Sequence, residues 1–400
     1  MSERAQDMQI GDVPVGLDAD AGSAGIVRTK YVTFDEAGRT LDLEGGGELW
    51  PITLAYEAYG TLSSARDNAI MVFHALSGDA HAAGRHSAND LRAGWWDVLI
   101  GPGKALDTEK YFVICANVLG GCSGSTGPSS IDPATGKPYG TSFPIITIAD
   151  MVDAHLLLLD HLGIGKLLAA VGGSMGGMQV LELAIAHPER LHLAVAMATA
   201  ARQPTQAIAF NEVGRQAIMA DPNWRGGHYY GGKPPFKGLA VARMVGHITY
   251  LSDVAMQEKF GRRLRDIHDY SFTFSADFEV ESYLRHQGLA FTNRFDANTY
   301  LYITRALDYF DAARRHESLV SAFRDVKSRF LVLSFSSDWL HPPYQLKEIV
   351  GALRATHKHA SYYEVTSHYG HDAFLLEREK MEGVIGAFLG SGARTFAAPG

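Results

Sequence analysis

The 400-residue sequence has little of what marks secreted, membrane-spanning or nucleic-acid-binding proteins. Its only two cysteines, Cys115 and Cys122, are too few for a disulfide framework and favour a reducing compartment. The apolar runs fall short of the roughly 18 residues that cross a bilayer. The net charge is −8 and no long lysine or arginine block occurs, which argues against a nucleic-acid or membrane-surface partner. We therefore expect a cytoplasmic protein that acts on small molecules.

The N-terminal segment also lacks a recognisable signal. It mixes acidic residues with glycine and alanine, and no basic stretch is followed by an apolar one, so a signal peptide is not expected. We expect residues 1–30 to form a flexible tail. Metal-site spacings such as HExxH are absent, as are the dinucleotide and phosphate-loop fingerprints. The sequence thus predicts neither a metal nor a bound cofactor.

Strand-like and helix-like segments alternate along most of the chain. Residues 48–60 alternate apolar and polar side chains, which predicts an antiparallel pair at a sheet edge. Nearly continuous apolar runs, typical of strands buried on both faces, cover residues 69–76, 111–119, 167–173, 191–199 and 329–337. Helical patterns occur at residues 148–163 and 177–190. The alternation predicts an α/β fold with a mostly parallel sheet flanked by helices.

The alternation stops after Thr199 and resumes near Ser328. The intervening stretch has helix-like periodicity and is rich in Arg, His, Tyr and Met. We interpret it as a helical cap inserted into the sheet domain. The predicted division is an α/β core at residues 31–202 and 323–400, with the cap at residues 203–322.

A short glycine-rich motif provides the first chemical signal. Residues 172–176, Gly-Gly-Ser-Met-Gly, match the GxSxG pattern and lie between a buried strand and a helix. In that context Ser174 occupies a tight, strained turn that requires small flanking residues. Its hydroxyl then lies at a helix N-terminus, where free N–H groups favour developing negative charge. Glycine-rich turns are common without catalysis, but the two flanking elements favour Ser174 as a nucleophile.

A serine nucleophile needs a base, and the base needs an orienting carboxylate. In this fold the serine is followed along the chain by the acid and then by the histidine, each after a late strand. Asp338 directly follows the last apolar run, and His371 follows a strand-like segment nearer the C-terminus. The order predicts Ser174, Asp338 and His371 as a catalytic triad, with His368 as the nearest alternative base.

An oxyanion hole requires two preorganised N–H donors. One is expected from the residue after the nucleophile, Met175, and the other from the loop after an early strand, where we assign the backbone of Leu76. The alternative interpretation of this loop is a simple turn.

Taken together, the motifs resemble the homoserine O-acetyltransferase family of α/β-hydrolase-fold acyltransferases over about residues 31–389. The segments that carry the resemblance are HALSGDAH (74–81), NVLGGCSGSTGPSS (117–130), GGSMGGMQ (172–179), NEVGRQAIMADPNW (211–224), RMVGHITYLSD (243–253) and GHDAFLLE (370–377). The resemblance implies acetyl transfer from acetyl-CoA to the hydroxyl of L-homoserine, in methionine biosynthesis. It further implies a ping-pong route through an acetyl-serine, no cofactor beyond acetyl-CoA as co-substrate, and a homodimer.

The resemblance also implies residues that bind the amino acid. Arg243 and Asp372 match the positions where family members bind the α-carboxylate and the α-ammonium. The chemistry agrees, because an arginine fork suits a carboxylate and a carboxylate suits an ammonium. The residues alone would instead suggest a surface helix charge for Arg243 and a helix N-cap for Asp372. Tyr250 either lines the same pocket or is a buried cap residue.

The identity of the acyl group depends on one position. Relatives that use succinyl-CoA tend to carry an arginine two residues after the catalytic acid, where this sequence has Leu340. A succinyl carboxylate beside a leucine would be desolvated without compensation, so we predict acetyl transfer. The alternatives left open are homoserine or serine O-succinyltransfer, acetylation of another acceptor, and an esterase or other hydrolase with the same triad.

Overall fold

A computed structural model describes residues 22–265 and 268–396, so most of the predicted N-terminal tail lies outside the described residues. An eight-stranded sheet lies at the centre of the protein. Its strands are β1 (Lys30–Phe34), β2 (Ile52–Tyr59), β3 (Ala69–Phe73), β4 (Phe112–Ala116), β5 (Leu167–Gly173), β6 (Leu191–Met197), β7 (Arg329–Phe335) and β8 (Ala360–Val365). The order across the sheet is β1-β2-β4-β3-β5-β6-β7-β8. This sheet confirms the predicted fold class.

The sheet is parallel except at one edge. Strand β2 runs antiparallel to both of its neighbours, β1 and β4, and every other neighbouring pair is parallel. All residues of β3 and β5 are buried, as expected of strands covered on both faces. Three two-stranded ribbons lie outside the sheet and pair Leu41–Asp42 with Glu48–Leu49, Ile100–Gly101 with Leu106–Asp107, and Ile131–Asp132 with Lys137–Pro138.

Helices cover both faces of the sheet. They are α1 (Ile148–His161), α2 (Met175–Ala186), α3 (Thr205–Met219), α4 (Phe236–Tyr250), α5 (Asp253–Lys259), α6 (Glu279–Thr292), α7 (Ala297–Tyr309), α8 (Leu319–Ala322), α9 (Pro343–Ala355), α10 (Ala373–Leu376) and α11 (Arg378–Phe396). Short 3-10 turns occur at Gly140–Ser142, Pro188–Arg190, Arg225–Gly227 and Gly370–Asp372. Within residues 22–265 and 268–396, no helix is long and apolar enough to cross a bilayer.

Two hydrophobic cores form, one on each face of the sheet. On one face, α1, α2 and α9 contribute buried side chains such as Leu158, Leu181 and Leu346. On the other face, α11 contributes Met381 and Leu389. Because helices pack on both sides, the carboxyl ends of the parallel strands are left as the natural position for a site.

Helices α3 to α8 all lie between β6 and β7, in the stretch where the sequence predicts a cap. A smaller cluster, which includes Ile218, Leu239 and Phe291, joins α3, α4 and α6. The exact limits of the cap, at residues 203 and 322, stay a prediction.

Candidate active site

Ser174 lies on the turn between β5 and α2. Its backbone has φ +56° and ψ −122°, a conformation that a residue with a side chain adopts only under strain. The turn is held from both sides, since the Ser174 N–H donates to the Met197 carbonyl (3.0 Å) and the Thr199 hydroxyl donates to the Ser174 carbonyl (2.8 Å). Hydrogen bonds to β6 and to the segment after it therefore hold Ser174 in its strained conformation.

The glycines around Ser174 have a steric cause. A Cβ on Gly172 would lie 2.4 Å from the backbone of Gly176, and a Cβ on Gly176 would lie 2.1 Å from the Phe73 carbonyl oxygen. Both distances are far below van der Waals contact. The strand-to-helix turn can therefore pack against β3 only if these positions carry no side chain.

The three predicted triad residues form one hydrogen-bonded chain. The Ser174 hydroxyl lies 2.9 Å from His371 Nε2, and His371 Nδ1 lies 2.8 Å from Asp338 Oδ2. An ionised carboxylate only accepts hydrogen bonds, so Nδ1 carries the proton and Nε2 of the neutral ring accepts from the serine. The geometry can therefore take a proton from Ser174.

Asp338 is held in place by the backbone after β7. Its second oxygen, Oδ1, accepts the N–H groups of Leu340 (3.0 Å) and His341 (2.9 Å). The side chain is fully buried, and these donors replace the water that a carboxylate would otherwise bind. The carboxylate is thus fixed in one orientation toward His371.

The charges around His371 favour its protonated form. Burial alone would lower the pKa of this imidazole, but the charge and hydrogen bond of Asp338, with a smaller contribution from Asp372, raise the pKa above its ordinary value. The neighbouring His341 is different, because burial, and then the proximity of His371, lower its pKa to about 4. His371 is thus suited to hold a proton during a reaction, whereas His341 stays neutral.

The predicted oxyanion donors lie beside Ser174. Met175 is the first residue of α2, and Leu76 lines the same cavity as Ser174. His74 fixes the Leu76 loop, since its Nδ1–H donates to the Ala75 carbonyl (2.7 Å) and its Nε2 accepts the Val118 N–H (3.1 Å). The role of the Leu76 and Met175 N–H groups as oxyanion donors stays a prediction.

A buried carboxylate holds the far end of this loop. Glu57 accepts hydrogen bonds from His81 (2.9 Å), His86 (2.7 Å), Thr29 (2.8 Å) and Tyr59 (2.9 Å). The Glu57, His81 and His86 side chains have the residue types of a metal site, and their candidate ligand atoms lie within 4.8 Å of one another. Each Glu57 oxygen already accepts one imidazole and one hydroxyl. We therefore interpret the cluster as a hydrogen-bonded support for the loop.

Arg243 lies on α4 and is only 3% exposed, so it is not a surface helix charge. Its guanidinium carbon lies 4.6 Å from the ring centre of Phe291 and 5.7 Å from that of Tyr250. Its hydrogen bond to the Ser77 hydroxyl is long, at 3.4 Å. In the described part of the chain, no carboxylate forms an ion pair within 4.0 Å of this guanidinium, although its charge acts on the buried Asp372 carboxyl. Arg243 is therefore a buried cation with no carboxylate in direct contact among the described residues.

Asp372 is buried next to His371 and makes no capping hydrogen bond to α10, so it does not act as a helix N-cap. Burial raises the pKa of its carboxyl to about 7, even though the charges of His371 and Arg243 oppose the shift. The carboxylate form is therefore costly unless a cation lies beside it.

A narrow cavity of about 50 Å³ opens in front of Ser174. Leu340 and Tyr250 line it, together with two residues that the sequence analysis did not select, Gln203 and Asn211. Gln203 lies two residues before α3, and Asn211 lies on α3. Helical periodicity does not relate a residue before the helix to one within it, so the sequence carries no signal that brings the two together.

Comparisons with known proteins agree with this geometry. A family model described as alpha/beta hydrolase fold matches residues 68–378. Homoserine O-acetyltransferase from Methanohalobium evestigatum is 58% identical over 367 residues, which cover 92% of this chain and 74% of that protein. The homoserine O-acetyltransferase of Solidesulfovibrio magneticus is 55% identical over 370 residues, which cover 92% and 93% of the two chains.

Solved structures are similar over nearly the same length. The crystal structure of homoserine O-acetyltransferase from Bacillus anthracis matches with a TM-score of 0.85 at 30% identity, covering 91% of this chain and 98% of that one. The crystal structure of esterase E22 matches with a TM-score of 0.84 at 29% identity, covering 91% and 100%. The chain therefore belongs to the homoserine O-acetyltransferase family of α/β-hydrolase-fold enzymes.

Proposed function

We propose that this protein transfers an acetyl group from acetyl-CoA to the side-chain hydroxyl of L-homoserine, through an acetyl-Ser174 intermediate. The single observation that carries the acceptor assignment is the buried guanidinium of Arg243, which has no carboxylate within 4.0 Å in the described chain. The triad alone would serve a hydrolase equally well. A buried cation beside the triad favours an anionic ligand, and the α-carboxylate of an amino acid is such an anion.

In the first half-reaction, Ser174 Oγ attacks the thioester carbonyl carbon while its proton passes to His371 Nε2. The N–H groups of Leu76 and Met175 would stabilise the oxyanion that forms. The carbon–sulfur bond then breaks, and the departing thiolate takes the proton from His371. The products are free CoA and an acetyl ester on Ser174.

In the second half-reaction, the acceptor replaces CoA. Arg243 binds its α-carboxylate, and Asp372 binds its α-ammonium. His371 takes the proton of the acceptor hydroxyl, whose oxygen attacks the acetyl carbon, and the bond to Ser174 Oγ breaks. The proton returns to Ser174, which regenerates the hydroxyl. Holding the hydroxyl in place favours it over water by proximity.

The cavity in front of Ser174 supports acetyl as the acyl group. Its volume of about 50 Å³ suits a small acyl group. The side chain of Leu340 lines it and offers no partner to a second carboxylate. A succinyl group would have to desolvate that carboxylate without compensation.

Mass spectrometry tests the donor and the nucleophile together. The protein mixed with acetyl-CoA alone should gain one acetyl group, and peptide mapping should place it on Ser174. Ser174→Ala should gain none. An adduct on another residue, or none on the unchanged protein, contradicts the proposal.

Hydrolysis is the second candidate function, because the chain is similar to esterase E22 and water can attack an acetyl-serine. The two functions are distinguished by how an added acceptor changes the rate of acetyl-CoA consumption. A transferase should turn over slowly until L-homoserine is added and should then form O-acetylhomoserine. Full turnover without L-homoserine would favour hydrolysis. L-serine in the same assay tests the alternative acceptor.

We also propose a cytoplasmic homodimer that associates through the cap helices. Apolar side chains are exposed on α3 (Val213), α4 (Val241 and Ile248) and α6 (Leu289). The thiols of Cys115 and Cys122 are free, which suits a reducing compartment. Sedimentation should show a dimer, and Ile248→Glu should shift it toward monomer. A monomeric unchanged protein contradicts the dimer.

A further inference from the structure

The cavity in front of Ser174 is lined without formal charge. None of its described lining residues is Asp, Glu, Lys or Arg. Its one imidazole belongs to His341, which stays neutral near pH 7 because burial lowers its pKa to about 4. A charged ligand group would lose its water here and gain no counter-ion. The cavity therefore suits a neutral group.

One wall of this cavity contains an unused hydrogen-bond acceptor. Gln203 is only 8% exposed, and its side-chain oxygen Oε1 is buried with no hydrogen-bond donor among residues 22–265 and 268–396. Buried carbonyl oxygens in proteins nearly always have a partner, so this one requires an explanation. Gln203 lines the cavity, and turning its carboxamide over would present this oxygen to a ligand N–H, which is the partner that fits.

A second carboxamide is oriented by a buried ion pair. Asn211 lines the cavity, and its Nδ2 donates to Asp308 Oδ1 at 2.8 Å. Arg215 lies 2.7 Å from the other Asp308 oxygen and opposes the rise in the pKa of this carboxyl that burial causes. In its carboxylate form Asp308 only accepts, which orients the amide end of Asn211 toward it. Its carbonyl oxygen is the end left for a ligand, and no described residue donates to it.

The charged binding groups lie outside the cavity that the carboxamides line. Tyr250 lines the cavity, and its ring centre is 5.7 Å from the Arg243 guanidinium. Neither Arg243 nor Asp372 lines the cavity itself. The charged pair matches the zwitterionic acceptor. The carboxamides share their cavity with Leu340, the residue assigned to the acyl group.

We propose that Gln203 and Asn211 form a carboxamide subsite that accepts a hydrogen bond from an amide N–H in the thiol arm of the acyl donor. This inference rests on the proposed function, since it assumes a CoA thioester. In such a donor, the nearest amide is two methylene groups from the thioester sulfur. That short spacing keeps the amide close to Ser174, whose cavity the two carboxamides line.

A pair of small thioesters tests the subsite from the ligand side. S-acetyl-N-acetylcysteamine carries this amide, and S-acetylpentanethiol has the same chain length without it. The donor kcat/KM, measured with saturating L-homoserine, reports formation of the acetyl-enzyme in a ping-pong reaction. The unchanged enzyme should prefer the amide thioester by about tenfold, the value expected of one or two neutral hydrogen bonds.

Gln203→Met tests the same contact from the protein side, because it keeps the length and removes the oxygen. It should abolish most of the tenfold preference and leave the KM for L-homoserine unchanged. If Gln203 has only a structural role, the result should differ: removing its buried unpaired oxygen should stabilise the fold and leave the preference for the amide thioester intact. Asn211→Leu should weaken the preference further. Gln206→Met, at an exposed position on α3, is the matched control and should change nothing.

Each other outcome has a defined meaning. Turnover of both thioesters without a preference in the unchanged enzyme overturns the subsite and leaves the proposed function standing. An equal loss with both thioesters in Gln203→Met also overturns it. A raised L-homoserine KM with intact donor preference assigns the carboxamides to the acceptor instead. No turnover with any thioester or acetyl-CoA contradicts the proposed function itself.

Discussion

Asp372 follows His371 directly in the chain, and the two side chains are buried together with raised pKa values that have different causes. Asp372 is among the charges that raise the pKa of His371, whereas burial raises the pKa of Asp372 itself to about 7. A carboxyl group in this state gains most from a cation that arrives with the ligand. The acceptor ammonium is such a cation.

Binding of L-homoserine should therefore weaken as the pH falls below about 7. The ammonium requires the Asp372 carboxylate, and that form is lost as the pH falls through its raised pKa. Well below this pKa, the Kd should rise by about tenfold per pH unit. Calorimetry on Ser174→Ala, which binds without turnover, measures this directly. Asp372→Asn should bind more weakly at pH 8 and show little pH dependence; an unchanged pH dependence in that variant would assign the effect to another group.

The same carboxyl group should reduce stability in alkaline solution. Its folded pKa of about 7 lies above the ordinary value of 3.8, so ionisation costs nothing below pH 3.8 and its full free energy above about pH 7. Asp372→Asn should therefore raise the Tm of the ligand-free protein at pH 8 and change it far less near pH 4. Asp325→Asn, at an exposed position, is the control. Equal effects of Asp372→Asn at both pH values would exclude ionisation as the cause.

The backbone of Ser174 should make glycine more stable than alanine at this position. With φ at +56°, a Cβ adds strain of about 1 kcal/mol that glycine avoids. Ser174→Gly should thus unfold at a higher denaturant concentration than Ser174→Ala, although both lose the acetyl adduct. Equal midpoints would mean that the turn relaxes once the hydroxyl is gone.

Leu340→Arg should erode the preference for acetyl-CoA over succinyl-CoA. The guanidinium would enter the neutral cavity in front of Ser174 and would pair with the second carboxylate of a succinyl group. The ratio of the two kcat/KM values should fall by at least about tenfold. Leu340→Met keeps the size and the neutral character and serves as the control. An unchanged ratio in Leu340→Arg removes this residue from acyl selection.

The strands of the sheet were the most predictable part of the fold. The apolar runs that became β5 and β7 are nearly continuous, of strand length and buried on both faces, and they alternate with helical patterns, which favours strands of a parallel sheet. Strand β1 was missed. Only Val32 and Phe34 of its five residues are buried, and an edge strand with three exposed side chains resembles a loop.

The residues around Ser174 were predictable to different degrees. Ser174, Asp338 and His371 follow strands in a fixed order, so their positions could be read along the chain. Gln203 and Asn211 could not be found in this way. Gln203 is notable because its buried side-chain oxygen has no described partner, and Asn211 because the Asp308–Arg215 ion pair orients it. Neither observation can be made from the sequence, since both depend on contacts in the folded protein.

The three residues that hold the hydroxyl, the imidazole and the carboxylate all follow strands of one sheet, whereas Arg243, Gln203 and Asn211 belong to the stretch between β6 and β7. Part of ligand choice is thus encoded apart from nucleophile activation, although Leu340 and Asp372 lie beside triad residues in the core. Changes within the inserted stretch can alter the contacts to acceptor or donor while the reactive serine keeps its surroundings in the sheet. This separation explains physically how transferases and esterases can share one scaffold.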